Sequence, residues 1–382
     1  MIYYGKQNVN EDDIKAVENV LRSDFLTQGP AIEKFEKKVA DYCGAKYAVA
    51  VTNATSALHI ACRAVNLGEG DFLWTSPITF VASANCGRYC GAGVDFVDID
   101  NDTYNMSVEI LEDKLKNSAH LPKVVIPVHL AGQSCDMEKI YALSRRYNFT
   151  VVEDASHAVG ADYKNSKVGS CKYSDMTVFS FHPVKIITTG EGGMILTNNE
   201  NLYEKLKLYR SHGITRNPAL MTHEPDGSWY YQQIDLGFNY RMTDIQAALG
   251  YSQMNRLDKF VARRRYLANR YNEKLKSLPL KIPYQSADTN SSWHIYIVRL
   301  DLNRVKKSKV QIFTEMREKG VTLNLHYIPV HTQPYYEKLG HKPEECPNSL
   351  HYYKEAFTLP LYYSLTDEQQ DYVVNSLAEV LG

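Results

Sequence analysis

Phe179-Ser180-Phe181-His182-Pro183-Val184-Lys185-Ile186-Ile187-Thr188-Thr189-Gly190-Glu191-Gly192-Gly193 joins two apolar, strand-like runs by a short loop that carries one lysine. A Ser and a His stand just before that lysine, and a Gly-rich turn follows it. A lysine held between buried strands is not needed there for solubility. It is well placed to form a Schiff base with an aldehyde cofactor. A loop lysine is more often a plain surface cation, so the rest of the chain has to decide.

Outward from that loop, short apolar runs alternate with helical patterns. The runs are Tyr47–Thr52, Phe72–Ser76, Val94–Ile99, Val124–His129, Thr150–Glu153, Met176–Phe181 and Met194–Thr197. Helical periodicity marks Thr55–Val65, Val81–Tyr89, Val108–Leu115 and Met137–Tyr147 between them. This alternation predicts an α/β fold with a seven-stranded, mostly parallel sheet and helices on both faces. No helix fits between the last two runs, so one of them is expected to run antiparallel. Ligands of such sheets gather beyond the carboxyl ends of the strands.

Ahead of the sheet, Asn10–Leu21 and Ile32–Tyr42 read as helices separated by a turn at Gly29-Pro30. Behind it, Thr243–Leu275 is a long helical stretch with a break near Asp258. From Pro283 on, a strand (His294–Leu300), a helix (Ser308–Glu318), a strand (Val321–His326) and a helix (Asp367–Val380) predict a smaller α/β unit. The division is a large domain, residues 1–255, and a small C-terminal domain, residues 256–382.

At 382 residues, 44% apolar and 23% charged, the chain can bury a sizeable core. Its net charge of −1 argues against a nucleic-acid surface. The seven cysteines are scattered without a C-x-x-C pair, so no metal site is expected and reduced thiols in the cytoplasm are. There is no signal pattern at the start, and no apolar run is long enough for a membrane span.

Several elements carry chemistry. Thr52-Asn53-Ala54-Thr55-Ser56-Ala57 places hydroxyls at a helix start, where free N–H groups and the helix dipole favour phosphate. An ordinary N-cap by Asn53 or Thr55 explains the same residues. Asp154 ends a strand, and a buried carboxylate there needs a cation such as a pyridinium nitrogen. Taken alone, an Asp capping the next turn is as good a reading. His157 could bond a phenolic oxygen, Ser180 a phosphate, and Phe80 could stack on a flat ring. Gly237-Phe238-Asn239-Tyr240-Arg241 precedes a helix with an Asn and an Arg free to reach an anion. Together these match what pyridoxal phosphate presents: a phosphate, a ring nitrogen, a hydroxyl, a flat face and an aldehyde.

Asp154-Ala155-Ser156-His157-Ala158-Val159-Gly160, Phe179–Lys185, Glu191-Gly192-Gly193 and Gly237–Arg241 resemble the DegT/DnrJ/StrS nucleotide-sugar aminotransferases over nearly the whole chain. The resemblance implies the type I fold of pyridoxal 5′-phosphate transferases and a homodimer with shared active sites. It implies that Lys185 forms the Schiff base, Asp154 pairs with the ring nitrogen and His157 lies near the ring hydroxyl. Phe80 and Ser156 would flank the ring. Thr55, Ser56 and Ser180 would hold the phosphate, with Asn239 reaching in from the partner. Sugar-nucleotide contacts would come from Tyr4, Asp24, Phe25, Leu26, Thr27, Ala54, Leu325, His326, Tyr327 and Ile328, with Ser180 and Asn239 shared. Arg241 is the candidate for a glutamate carboxylate. Many members have Gln where this chain has His157.

Leu26–Gly29, Ser76–Asn85, Phe181–Thr189 and His326–Tyr336 narrow the resemblance to the pseudaminic-acid branch. That implies amino transfer from L-glutamate to C4 of a 4-keto-6-deoxy UDP-N-acetylhexosamine, feeding cell-surface polysaccharide or flagellin glycosylation. The alternatives are another 4-keto or 3-keto nucleotide sugar, a sugar dehydratase, a non-catalytic regulator or a dinucleotide oxidoreductase. Dehydratases of this fold carry His in place of the lysine. A regulator would have a fused DNA-binding module, and an oxidoreductase a G-x-G-x-x-G after the first strand.

Overall fold

The seven apolar runs form one sheet. In the computed structural model, which describes residues 1–382, the strands are β1 (Tyr47–Val51), β2 (Phe72–Thr75), β3 (Gly93–Phe96), β4 (Val124–Ile126), β5 (Thr150–Asp154), β6 (Met176–Ser180) and β7 (Gly193–Thr197). Their order is β1-β7-β6-β5-β4-β2-β3. β7 is antiparallel to both neighbours, and every other pair is parallel. The Lys185 loop is therefore a direct return between adjacent strands, as the missing helix implied.

The two-residue alternation of strand side chains sorts the core. Val124, Ile126, Val152, Val178 and Ile195 pack with the helix Ala54–Ala64 on one face. Val125 and Val151 pack with the helices Val108–Asn117 and Met137–Tyr147 on the other. Phe179, Met194 and Leu196 share that second face with Phe35 of the helix Pro30–Cys43. Covering both faces is what allows such uninterrupted apolar runs.

The long C-terminal-side stretch is two helices, Asp244–Met254 and Leu257–Lys274, broken at Asn255-Arg256. The second straddles two cores. Leu257, Phe260 and Val261 belong to the sheet's cluster, and Leu267, Ala268 and Tyr271 to that of the C-terminal part. There, β8 (Tyr296–Leu300) and β9 (Ala356–Leu359) pair antiparallel beside the helices Lys309–Glu318 and Asp367–Leu381.

One expected strand is absent. Val321–His326 has the alternation of a strand but makes only single bridges, Ile2 to Val321 and Asn324 to Thr358. It threads between the N-terminus and β9 without a continuous ladder on either side, so tertiary placement overrides local pattern. The helices Glu200–Arg210 and Pro347–Glu355 and strand β9 are elements the sequence pattern did not announce. No helix is long and apolar enough to cross a membrane.

Candidate active site

A cavity of about 550 Å³ opens beyond the carboxyl ends of the strands. Its sheet-side wall carries Lys185, Asp154, Ser156, His157, Ser180, Ala54, Thr55 and Phe80. Tyr4, Leu325, His326 and Tyr327 close it from the opposite side. Tyr4 gets there because the N-terminal chain runs along the C-terminal part, with Ile2 N–H donating to the Gly320 carbonyl and Leu361 N–H to that of Tyr4.

Asp154 is the last residue of β5 and only 5% exposed. Ser83 Oγ donates to its Oδ2 at 2.6 Å and the Ser156 N–H to its Oδ1 at 3.1 Å. Two donors leave lone pairs of an ionised carboxylate unused. Lys185 lies on the loop after β6, and its amine has no hydrogen-bonded partner to stabilise the charge. Burial lowers its pKa to about 8, with the Asp154 charge opposing.

His157 is buried in the same wall. The Ala131 N–H donates to its Nδ1 at 3.3 Å, so a neutral ring carries its proton on Nε2, which lies 3.1 Å from the Tyr327 hydroxyl. Burial first, then the charges of Lys185 and His326, hold its pKa well below the usual imidazole value. His326 is pushed down to about 3, by burial and then by Lys185. Both rings are therefore neutral near pH 7. Burial raises the Tyr327 phenol.

At the helix start Ala54–Ala64, Asn53 Oδ1 caps the Ser56 N–H at 2.8 Å. The N–H groups of Ala54 and Thr55 have no partner within the chain, as the first turn of a helix leaves them. A Cβ on Gly193 would lie 2.5 Å from the Asn53 carbonyl and 2.7 Å from Ala54 N. Only glycine lets β7 pass this close beneath the turn.

Other residues singled out in the sequence lie elsewhere. Ser56 is buried, its hydroxyl 3.1 Å from that of Thr52, and it does not line the cavity. The stretch from Asp24 to Thr27 is tied to the start of the helix Asp244–Met254, where the Asp244 N–H donates to the Leu26 carbonyl at 2.9 Å. Phe25, Leu26 and Ile328 are exposed. Asn239 is exposed, and Arg241 lines a separate cavity, bonded to Ser211 Oγ at 3.1 Å. Neither lines the Lys185 cavity of its own chain. Ser83 and His294 are the residues sequence reasoning missed. His294 lines the cavity and packs on His157, ring centroids 4.4 Å apart. Nothing local marks either one.

The donor set fits pyridoxal phosphate on its own geometry. Two free N–H groups with the Thr55 and Ser180 hydroxyls suit a phosphate. A half-satisfied carboxylate suits a pyridinium, and an unpaired amine of lowered pKa suits an aldehyde.

The profile of the DegT/DnrJ/EryC1/StrS aminotransferase family matches residues 7–378. Spore coat polysaccharide biosynthesis protein SpsC of Bacillus subtilis is 37% identical over 99% of this chain and 96% of its own. The UDP-4-amino-4,6-dideoxy-N-acetyl-β-L-altrosamine transaminase of Campylobacter jejuni is 35% identical over 100% of this chain and 98% of its own. The structure of Helicobacter pylori PseC, an aminotransferase involved in pseudaminic acid biosynthesis, superposes with a TM-score of 0.92 at 30% identity, over 100% and 99% of the two chains. The family works with pyridoxal 5′-phosphate on a type I fold, which is the seven-stranded, mostly parallel sheet described above. The chain belongs to the DegT/DnrJ/EryC1/StrS aminotransferase family and is a pyridoxal-phosphate-dependent aminotransferase.

Proposed function

We propose that this enzyme moves the amino group of L-glutamate to C4 of a 4-keto-6-deoxy UDP-N-acetylhexosamine, giving UDP-4-amino-4,6-dideoxy-N-acetyl-β-L-altrosamine. The observation that carries the reaction is Lys185, an amine of pKa about 8 facing the same cavity as the strand-end carboxylate Asp154. The full-length match to the Campylobacter enzyme of that name supports the sugar.

Pyridoxal phosphate, when bound, supplies a protonated ring that takes up the electron pair left on a carbon as its proton departs. Asp154 would keep the ring nitrogen protonated. Lys185 Nζ, partly unprotonated near neutrality, takes the proton from the α carbon of glutamate and later delivers one to C4 of the sugar. His157 Nε2–H would be the donor for the ring oxygen, and Phe80 would flank the ring. Ala54 N–H, Thr55 and Ser180 would hold the phosphate, and Tyr4, His326 and Tyr327 would face the sugar. Two half-reactions in one site require ping-pong kinetics.

In this reading two copies share their sites in the cytoplasm. Asn239 and Arg241 then serve the partner's cavity, Arg241 taking a glutamate carboxylate. Their position outside their own cavity supports this, as does the exposure of Trp229, Tyr231 and Leu236 just before them.

The similar identity to SpsC favours a second reading, a different keto sugar. UDP- and dTDP-linked 4-keto and 3-keto sugars, each supplied with glutamate, separate the two. Preferred turnover of the UDP-linked 4-keto-6-deoxy-N-acetylhexosamine is expected. Preference for any other sugar overturns the first reading.

A further inference from the structure

In the sequence His294 reads only as the start of a strand; in the structure it lines the cavity and packs on His157. The strap Ser291–His294 enters from the C-terminal part and is stitched to the residues around His157. Ser292 N–H donates to the Gly132 carbonyl at 3.3 Å, and His294 N–H to the Ala131 carbonyl at 2.9 Å. Ser292 Oγ donates to the His157 carbonyl at 3.0 Å. A Cβ on Gly132 would fall 2.6 Å from Ser292 Oγ and 3.0 Å from that carbonyl. The strap therefore leaves no slack.

One residue, Ala131, couples the two histidines through the peptide groups on either side of its Cα. The Ala131 carbonyl accepts from the His294 backbone, and the Ala131 N–H donates to His157 Nδ1. Ala131 adopts a φ of 59° to do this, a left-handed conformation that a side chain disfavours. Above this link the two rings pack against each other at an interplanar angle of 43°. From behind, the fully buried guanidinium of Arg264 donates through Nη1 to the carbonyls of Trp293, His294 and Leu361. The imidazole of His294 has a buried Nδ1 without a partner.

We propose that His294 is a positioning residue: its ring and its bond to the Ala131 carbonyl hold His157 in a single tautomer, Nδ1 bare and Nε2–H turned into the cavity. Before any ligand arrives that Nε2–H faces the Tyr327 hydroxyl, 3.1 Å away, and it is the donor that a bound ring oxygen would meet. The role of that donor rests on the aminotransferase reading, but the tautomer does not. Burial keeps both rings neutral. The groups that bear on His157 are Lys185, His326, Tyr327 and His294, with Arg264 behind the strap. A cation formed at His294 would be opposed by Lys185 and Arg264 and by any charge on His157 or His326, so the device works only with an uncharged ring.

The test is ¹⁵N-histidine NMR of the full-length protein, with and without pyridoxal phosphate, using His157→Gln to assign the His157 signal. In the unaltered protein His157 should show a bare Nδ1 and protonated Nε2 from pH 5 to 9 in both forms, a window around the ordinary imidazole pKa of about 6.5. In His294→Ala the signal should become a tautomer mixture and titrate inside that window. In His294→Phe, which keeps a flat ring against His157, the single tautomer should return. Loss of thermal stability alone, with the tautomer unchanged in His294→Ala, overturns the proposal. So does a His294→Phe protein that behaves like His294→Ala. Because the cofactor-free protein is read directly, a failed assay on the proposed sugar leaves this result standing on its own.

Discussion

The two walls of the cavity are built on different plans. The sheet-side wall stands on the ends of β1, β5 and β6, and its groups are fixed by short, specific contacts. Asp154 is held by Ser83 and Ser156, and the Asn53–Ala54 turn is pressed onto Gly193. The opposite wall is irregular chain. Leu325–Tyr327 follows a segment that makes only single bridges, and Tyr4 arrives on the N-terminal strap. Rigid elements hold reacting groups to within fractions of an ångström, which electrostatic and proton-transfer catalysis demands. Irregular segments can change shape at small cost to the core, which suits them to choosing a sugar. On the proposed roles, chemistry and selectivity separate by wall, and substitutions should sort the same way.

The largest effect belongs to Lys185. Lys185→Ala should keep the fold, judged by an unchanged thermal transition, while both half-reactions and the visible absorbance of bound cofactor disappear. The loss of either half-reaction alone would contradict a single shared proton carrier. The amine also sets a pH profile. Capture of pyridoxal phosphate needs the uncharged amine, and burial lowers its pKa from 10.5 to about 8. The stopped-flow association rate should therefore rise with pH and level off just above 8. A rate still climbing at pH 10 would mean that the amine is not desolvated.

Asp154→Asn comes next. It keeps the shape of the side chain and removes its charge. Loss of one such preorganised electrostatic group costs about 10²–10³-fold in rate. Both half-reactions should slow by that order, with little change in KM for the sugar. An effect on KM for the sugar alone would place Asp154 on the wrong wall.

The contrast between the walls also explains what could be read without a structure. All seven strands were visible because two-sided burial makes each one an apolar run, and the hairpin at Lys185 was visible because no helix fitted there. Asp154, Ser180 and Thr55 follow from strand and helix ends. Ser83 and His294 do not. Ser83 meets Asp154 across 71 residues of chain, and His294 meets His157 only through the fold of the C-terminal part. Val321–His326 was misread for a related reason: its alternation is real, but neighbours from Ile2 and Thr358 decide its backbone. Arg241 reads as an anion ligand from its motif, and only the fold reveals that it faces a different cavity from Lys185.

Ser83→Ala tests how much of the rigid wall depends on that unread contact. A hydrogen bond to a charged group contributes about 1.5–3 kcal/mol, and the Ser156 N–H remains to share the load. The low end of that range is about tenfold in equilibrium. Cofactor affinity should fall by that amount in a fluorescence titration. No change would mean that Asp154 needs only its backbone donor.

His326→Ala should give the smallest effect and the sharpest division. The ring is pinned: Nδ1 lies 2.8 Å from Thr358 Oγ1, and its face packs against Tyr4 with centroids 5.4 Å apart. Being neutral across the working pH range, it can offer the sugar a neutral hydrogen bond. Such a bond contributes about 0.5–1.5 kcal/mol, a factor of about two to ten in KM. The glutamate half-reaction never sees the sugar, so its single-turnover rate should stay unchanged while KM for the keto sugar rises. If the glutamate rate falls as KM rises, His326 is bracing the rigid wall through His157, whose ring stands 6.5 Å away and whose Nε2 lies 3.1 Å from the Tyr327 hydroxyl. The two walls would then be one mechanical unit, and the separation of chemistry from selectivity would fail at the point where they touch.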